Sequence, residues 1–417
     1  MSNISIMMFG ARRHYAVPRI LNRAGLLNCF YTDILATQGW PRVLARMPTK
    51  LLTSGMRRLK ERNPVDIPDS RIQSFPWFGA GHVIKRARAE SLEQACREDV
   101  IGADALAEKV AKSPEFDSRG LVYTFDRAGL KLMKHVRSNG GFAIMEQTVA
   151  PIEVDQAIDA EERARFPAWA DTASAPNLAF LADRERAEWD HANIIICGSD
   201  YVRNAIANCG GPTERCHVVP SGVTAPVRRT SLDGSLPGPK GGGKLKVLFV
   251  GAVGLRKGAP YVLEVARRLS DLVEVRMVGS VATTPYGVAQ LEQYVHLVGR
   301  VPRSEVWSHY DWADVLFFPS LNEGSAMVTY EALAFGLPVV CTPNTGSIVQ
   351  DGIDGVVVSP RGIDEMCDAL ERMATDFDYL DRLRSNVASS QEKYGIESYG
   401  ERLIDCIRAN SPAGVLK

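Results

Sequence analysis

Asp314-Val-Leu-Phe-Phe-Pro-Ser-Leu-Asn-Glu-Gly-Ser-Ala-Met-Val-Thr-Tyr-Glu-Ala-Leu-Ala-Phe-Gly-Leu-Pro-Val-Val340 decides the fold. Its apolar run Val315–Phe318 reads as a buried strand ending at Pro319. A polar turn, Ser320–Ser325, leads into a helical stretch, Met327–Phe335, which stops at Gly336 with Pro338 behind it. A second apolar run, Val339–Cys341, begins at once. Two short buried strands joined through a helix are a parallel pair with a crossover.

The same alternation extends in both directions. Toward the N-terminus, strands are expected at Ile4–Phe9, Leu121–Phe125, Phe142–Met145, Ile194–Cys197 and His217–Val219, with helices at Arg127–Arg137 and Asn177–His191. Nearer the quoted stretch are Leu245–Val250, Val273–Val278, Val295–Val298 and Val356–Val358, with helices at Ala259–Leu269, Ser304–Tyr310 and Ile363–Thr375. β-branched runs alternating with helices imply an α/β chain whose parallel sheets carry helices on both faces. Pro226–Lys244 interrupts the pattern. With Gly234, Pro237, Gly238, Pro239 and Gly241–Gly243 it reads as a linker. The expected division is residues 1–225, an N-terminal Rossmann-like domain; 226–244, the linker; 245–395, a C-terminal Rossmann-like domain; and 396–417, a helix packing back toward the first domain. A single domain with a long surface loop is the alternative.

The 417 residues suit two or three domains at roughly 150 residues each. Lys plus Arg number 49 and Asp plus Glu 49, so the chain is not the basic one that binds nucleic acid along its length. Its longest apolar runs fall far short of the ~20 residues that cross a bilayer. Met1–Gly10 has neither a basic start nor a small-residue cleavage site, so a cytoplasmic protein is expected. Eight cysteines without a C-x-x-C pair indicate reduced thiols rather than a disulfide or zinc framework. Asp376-Phe-Asp378 has the D-x-D spacing of some metal sites but follows a late helix; no metal is expected. Trp307 and Trp312 read as core.

Ligands of open α/β sheets bind beyond the carboxyl ends of the strands, so two such domains direct attention to the cleft between them. The first backbone N–H groups of the helix after Ser325 offer partial positive charge, and Gly324 permits close approach. Glu323 and Glu331 stand eight residues apart, an advance of about 12 Å if helical. That exceeds the ~5–5.5 Å pair of a retaining glycosidase and suits the two ends of an elongated ligand with a negative middle. Gly251-Ala-Val-Gly-Leu-Arg-Lys-Gly258 is neither a dinucleotide fingerprint nor a P-loop. It does carry Arg256 and Lys257, a guanidinium and an ammonium able to neutralise a diphosphate. A capping acid, a solvated helix residue and a solvent-facing basic turn are the plainer readings of these residues.

The Glu-x7-Glu spacing between Pro319-Ser320 and Glu331-Ala-Leu-Ala-Phe-Gly-Leu-Pro-Val-Val340 resembles the family 4 glycosyltransferases of the GT-B fold. Gly299-Arg-Val-Pro302, Tyr310–Asp314 and Asp351-Gly-Ile-Asp-Gly-Val-Val-Val358 extend the resemblance over nearly all of the C-terminal domain. It implies a retaining transferase without a required cofactor, using a UDP- or GDP-sugar as donor substrate. It also implies that Glu323 contacts the donor sugar at the reacting end, that Glu331 holds the ribose, and that Gly299 and Val301 flank the base. Arg256, Lys257, Gly324, Ser325 and Ala326 would take the phosphate charge. The family's arginine after the first glycine is replaced by Ala252, and Arg256 is expected to substitute for it.

The N-terminal domain departs further from the family. Its glycine-rich loop is reduced to Gly10, followed by Arg12, Arg13 and His14, which are expected to face the cleft and meet phosphate or acceptor. The histidine that usually follows the third strand is absent, and Glu146 is the nearest ionisable stand-in. Gly346-Ser347-Ile348 stands where two glycines and a glutamate are common. From Trp40 to Arg62, seven basic residues face one acid among interleaved apolar ones, a composition suited to an anionic membrane surface. The expected partners are therefore a nucleotide-sugar, a glycan or lipid-linked acceptor and a membrane surface, in cell-surface polysaccharide or glycolipid synthesis. A nucleotide-sugar epimerase and a donor-binding subunit without catalysis are the alternatives.

Overall fold

The computed structural model describes residues 4–48, 52–170, 176–224 and 243–412. Most of the expected linker, and Lys50 and Leu51 of the basic stretch, lie outside these residues. The N-terminal sheet comprises β1 (Ile4–Met8), β2 (Leu27–Thr32), β3 (Ile72–Ser74), β4 (Leu121–Phe125), β5 (Phe142–Gln147), β6 (Ile194–Cys197) and β7 (Cys216–Val218). Its strand order is β3-β2-β1-β4-β5-β6-β7. The C-terminal sheet comprises β8 (Leu245–Val250), β9 (Val273–Val278), β10 (Val295–Gly299), β11 (Val315–Phe318), β12 (Val339–Cys341) and β13 (Gly355–Val357), in the order β10-β9-β8-β11-β12-β13. Every strand pair in both sheets is parallel. Each sheet is therefore covered by helices on both faces, which explains why its strands read as unbroken apolar runs.

Sequence periodicity missed β2 and β3. Asn28 and Thr32 interrupt the apolar pattern of the first, and the second is a three-residue edge strand. It also missed the helices Pro76–Ala87, Leu92–Ala111 and Ile152–Arg165. Strand β5 runs two residues beyond the expected Met145. Glu146 therefore lies within the ladder, paired with Phe125 and Ile196.

Two segments cross between the domains. Helix Ile396–Asn410 buries Tyr399, Leu403 and Ile407 in the N-terminal core, with Leu403 and Ile407 each contributing about 1.5–3 kcal/mol by burial. In the opposite direction, the segment after β5 carries Trp169 into the C-terminal core. Helix Ile152–Arg165 places Glu162, fully enclosed, against Tyr261 (2.8 Å) and Arg361 (2.7 Å) of the C-terminal domain. Each domain thus lends the other an arm, and the strand ends of the two sheets are held facing one another.

Several quoted motif residues serve this framework. Asp314 accepts from the Lys246 N–H (3.0 Å) and from Arg384 (2.7 Å). Asp354 accepts from the Gln350 N–H (2.6 Å) and from the Tyr394 hydroxyl (2.7 Å). Asp376 caps the helix Phe377–Ser389 through the Tyr379 N–H. Trp307 and Trp312 are only half-buried at the core rim. Trp307 stacks on Phe335, and Trp312 carries the Arg276 guanidinium 3.8 Å from its ring.

Candidate functional site

The C-terminal half of the site is built on two turns that interlock. The Leu321 N–H and the Ser320 hydroxyl both donate to the Arg256 carbonyl, at 3.0 and 3.3 Å. Gly258 (φ +78°) lies so close to the Pro319 carbonyl that a Cβ would come within 2.3 Å of it. This packing brings the Lys257 ammonium into direct contact with the Glu323 carboxylate, which also accepts from the Ser320 hydroxyl at 3.2 Å. Burial and the Arg256 guanidinium pull the Lys257 ammonium down to about 7, while Asp155 pushes back. Arg256 donates to the Asn322 carbonyl (3.1 Å).

Only part of the Glu323-to-Glu331 interval is helical, because the helix begins at Met327. It ends as expected: the Leu337 N–H reaches the Ala332 carbonyl and the Gly336 N–H the Leu333 carbonyl, a Schellman closure with Gly336 at φ +90°. Glu331 faces the 299–303 loop, accepting from Arg303 (2.9 Å) and from Tyr310 (3.0 Å). Burial pushes its carboxyl up, and Arg303 opposes that. Gly299 (φ +78°) ends β10, and its carbonyl accepts from the Gly279 N–H (2.9 Å). Gly279, which sequence reading passed over, lies at the end of β9. A Cβ there would come within 1.8 Å of the Gly251 carbonyl, so the rim over β8 and β9 has room only for glycine.

The turn around Gly324 meets protein rather than open cleft. A Cβ on Gly324 would stand 1.8 Å from the Thr148 carbonyl of the N-terminal domain. The Gly324 carbonyl accepts from the Ser199 hydroxyl (2.6 Å), and the Ala326 N–H is engaged by the Thr345 carbonyl (2.9 Å). Ser325 donates to the Tyr330 hydroxyl (3.0 Å). The expected anion cradle at 324–326 is thus, in this arrangement, a contact between domains. Asn322 is its hub: the side-chain amide donates to Asp155 (2.6 Å) and accepts from the Tyr201 hydroxyl (3.0 Å), both N-terminal-domain residues that the sequence reading did not single out. Asp155 was hidden because the helix that carries it was not expected.

The N-terminal residues need a larger correction. Glu146 is enclosed, with Arg13 3.1 Å away and the Tyr123 hydroxyl donating at 2.7 Å, so it is not presented to a substrate. Extension of β5 is the cause. Arg13 is largely buried against Glu146; desolvation opposes its charge, and Glu146 with the surrounding tyrosines raises its pKa nonetheless. Arg12 ties the loop to the ends of β4 and β5 through Asp126 and Thr148, both at 3.0 Å. The Gly10 N–H donates to Asp33 (3.1 Å). His14 alone of these side chains is exposed overall; partial desolvation, then the Arg303 charge, lowers its pKa. Arg13, His14 and Tyr15 have φ of 45°, 49° and 61°. A left-handed turn of three non-glycine residues costs roughly 1–2 kcal/mol per residue, and it stands where the glycine-rich loop was expected.

Residues 244–376 match the family described as glycosyl transferases group 1. Among curated relatives of this chain, the D-inositol 3-phosphate glycosyltransferase of Xylanimonas cellulosilytica is 29% identical over 217 residues, 47% of this chain and 52% of its own length. The alpha-D-kanosaminyltransferase of Streptomyces kanamyceticus is 27% identical over 39% of this chain and 45% of its own. The chain spans about half the length of the curated relatives it matches. Solved structures extend the likeness to both domains. Anabaena HepE in complex with UDP and glucose superposes with a TM-score of 0.59 at 14% identity, covering 98% of this chain and 100% of that one. Sucrose-phosphate synthase from Thermosynechococcus elongatus gives 0.62 at 18%, covering 98% and 99%. The fold is GT-B, as the resemblance implied.

Proposed function

We propose that this protein is a retaining glycosyltransferase that moves a sugar from a UDP- or GDP-sugar to a glycan or lipid-linked acceptor. The observation that carries the reading is the contact between Lys257 and Glu323 on adjacent strand-to-helix turns at the cleft. A diphosphate entering there exchanges the Glu323 carboxylate for its own charge on Lys257, with Arg256 beside it, and frees Glu323 for the donor sugar's hydroxyls. Glu331, held by Arg303 and Tyr310, takes the ribose in the same pose, and Gly299 and Val301 flank the base. As the sugar–phosphate bond breaks, the cations hold the departing diphosphate. The acceptor oxygen bonds the anomeric carbon on the same face, and its proton passes to the diphosphate. Positioning and charge stabilisation are then the protein's contribution. Incubation with UDP- and GDP-sugars, with products followed by NMR, tests this: transfer or slow hydrolysis with retained configuration is expected. Isomerised sugar, or binding without any turnover, would replace the reading by an epimerase or a donor-binding subunit.

Attachment to an anionic membrane face, as suits cell-surface glycan synthesis, is part of the proposal. It is supported by the basic helices Pro41–Arg46 and Ser54–Lys60, on which Val43 and Met56 are exposed. Among the described residues no helix is long and apolar enough to cross a membrane. Flotation with phosphatidylglycerol vesicles at low salt is expected to carry the protein upward; no flotation removes the attachment.

A further inference from the structure

Three polar groups without partners gather at one edge of the N-terminal sheet. Thr37 Oγ1, Trp40 Nε1 and Ser74 Oγ are enclosed with no hydrogen bond, a destabilising condition for a polar group. Ser74 lines a cavity of about 390 Å3 together with Gln38, Gly39, Arg42, Asp69 and Pro76, and Thr37 and Trp40 bracket its Gln38–Gly39 wall. That volume is within the ~300–1,000 Å3 range of small-molecule sites.

The walls are fixed in place. Gln38 donates to the Ile72 carbonyl (2.9 Å) and accepts from the Ser74 N–H (3.0 Å). Gly39 (φ +63°) lies against Pro76, whose Cγ is 3.0 Å from where a Cβ would stand. At the mouth, Arg42 pairs with Asp69, both side chains more than half exposed. An exposed pair of this kind contributes little to stability, so its groups can exchange partners with a ligand. Trp77, next in sequence to Pro76 of the lining, is 79% exposed, with its ring centroid 5.8 Å from that of Trp40.

We infer that this cavity is a saccharide subsite for a ring of an extended glycan acceptor. An exposed indole offers an apolar face for the C–H side of a sugar ring. A carboxylate accepts from hydroxyls while a guanidinium donates to them, and Ser74 of the cavity lining carries a hydroxyl without a partner. The cavity follows β2 and β3, two strand spacings or about 10 Å from the Gly10 loop after β1, on the side of the sheet that faces the cleft. It therefore holds a sugar beyond the one that reacts. This rests on the glycosyl-transfer reading but uses no residue of the Lys257 site. The polar lining of Gln38, Arg42, Asp69 and Ser74 favours a hydroxylated ligand over a lipid surface.

The test uses the full chain, following tryptophan fluorescence and saturation-transfer NMR with maltose, cellobiose, lactose, trehalose and N-acetyllactosamine. At least one disaccharide is expected to bind, with affinity reduced tenfold or more in Trp77→Ala and Asp69→Asn while UDP or GDP binding and thermal midpoint hold. If no disaccharide distinguishes wild type from Trp77→Ala, the subsite is overturned. If phosphatidylglycerol vesicles shield Trp77 while every disaccharide is inert, the patch belongs to a membrane and the inference likewise falls. Loss of nucleotide binding by the wild type would instead defeat the glycosyl-transfer reading, a result separable from the disaccharide measurement.

Discussion

The Lys257 ammonium lies against the Glu323 carboxylate, each supplied by a different strand-to-helix turn of the C-terminal sheet. Both charges point to where the strand ends of the two domains meet. An ion pair in that position is a pre-formed exchange site, because an incoming anion and an incoming hydroxyl group each replace one member.

Glu323→Gln is expected to lower turnover by about 10²–10³, the usual effect of losing one well-placed polar contact at a reacting centre, while nucleotide binding is retained. Lys257→Ala should show the opposite bias, weakening UDP or GDP binding severely. Calorimetric titration beside initial rates separates the two, and near-normal kinetics in Lys257→Ala would count against the assignment.

Nucleotide affinity should depend on pH through Lys257. Its pKa near 7 means the protonated fraction falls as pH rises through 7, and the protonated form is the one that binds an anion. Binding at pH 8 is therefore accompanied by proton uptake, read from titrations in buffers of different ionisation enthalpy. Lys257→Arg, charged throughout, abolishes the uptake. The same depression means the unfolded chain binds more protons between about 7 and the ordinary 10.5, so this group's contribution to stability rises with pH across that window.

Gly324→Ala should separate the domains without unfolding either. Its Cβ would overlap the Thr148 carbonyl, which is backbone and cannot turn aside. Activity is expected to fall at least tenfold, with a larger radius of gyration in solution scattering and an unchanged far-ultraviolet spectrum.

Glu188→Gln tests a support of the N-terminal domain. The buried carboxylate accepts from the Arg127, Gly129 and Leu130 N–H groups at 2.7, 3.0 and 3.1 Å, capping the helix Leu130–Ser138 from a distant element. An amide offers one acceptor oxygen in place of two, leaving buried donors unpaired at a cost of about 1–3 kcal/mol. Chemical denaturation gives the loss.

Local chemistry made the C-terminal domain readable. Its strands are unbroken apolar runs, its helix ends carry Gly336 and Pro338, and Glu323, Glu331, Arg256 and Lys257 occur within short turns whose neighbours reveal their place. Glu146 was misplaced for the converse reason. Strand β5 continues through a charged residue because Arg13 and Tyr123, far away in sequence, provide for its charge. Asp155, Tyr201 and Arg303 were invisible for the same reason: each acts by meeting a residue of another element.

The sequence by itself determined two wound α/β units and the acids and cations on the turns of the second, since strand period, helix stops and turn composition are local properties. Only the tertiary structure decided which charges reach the cleft and which are enclosed, and that Gly324 faces Thr148. Those outcomes depend on contacts between separate elements, such as Arg13 with Glu146 and Gly324 with Thr148, where burial, rather than local pattern, selects the partner.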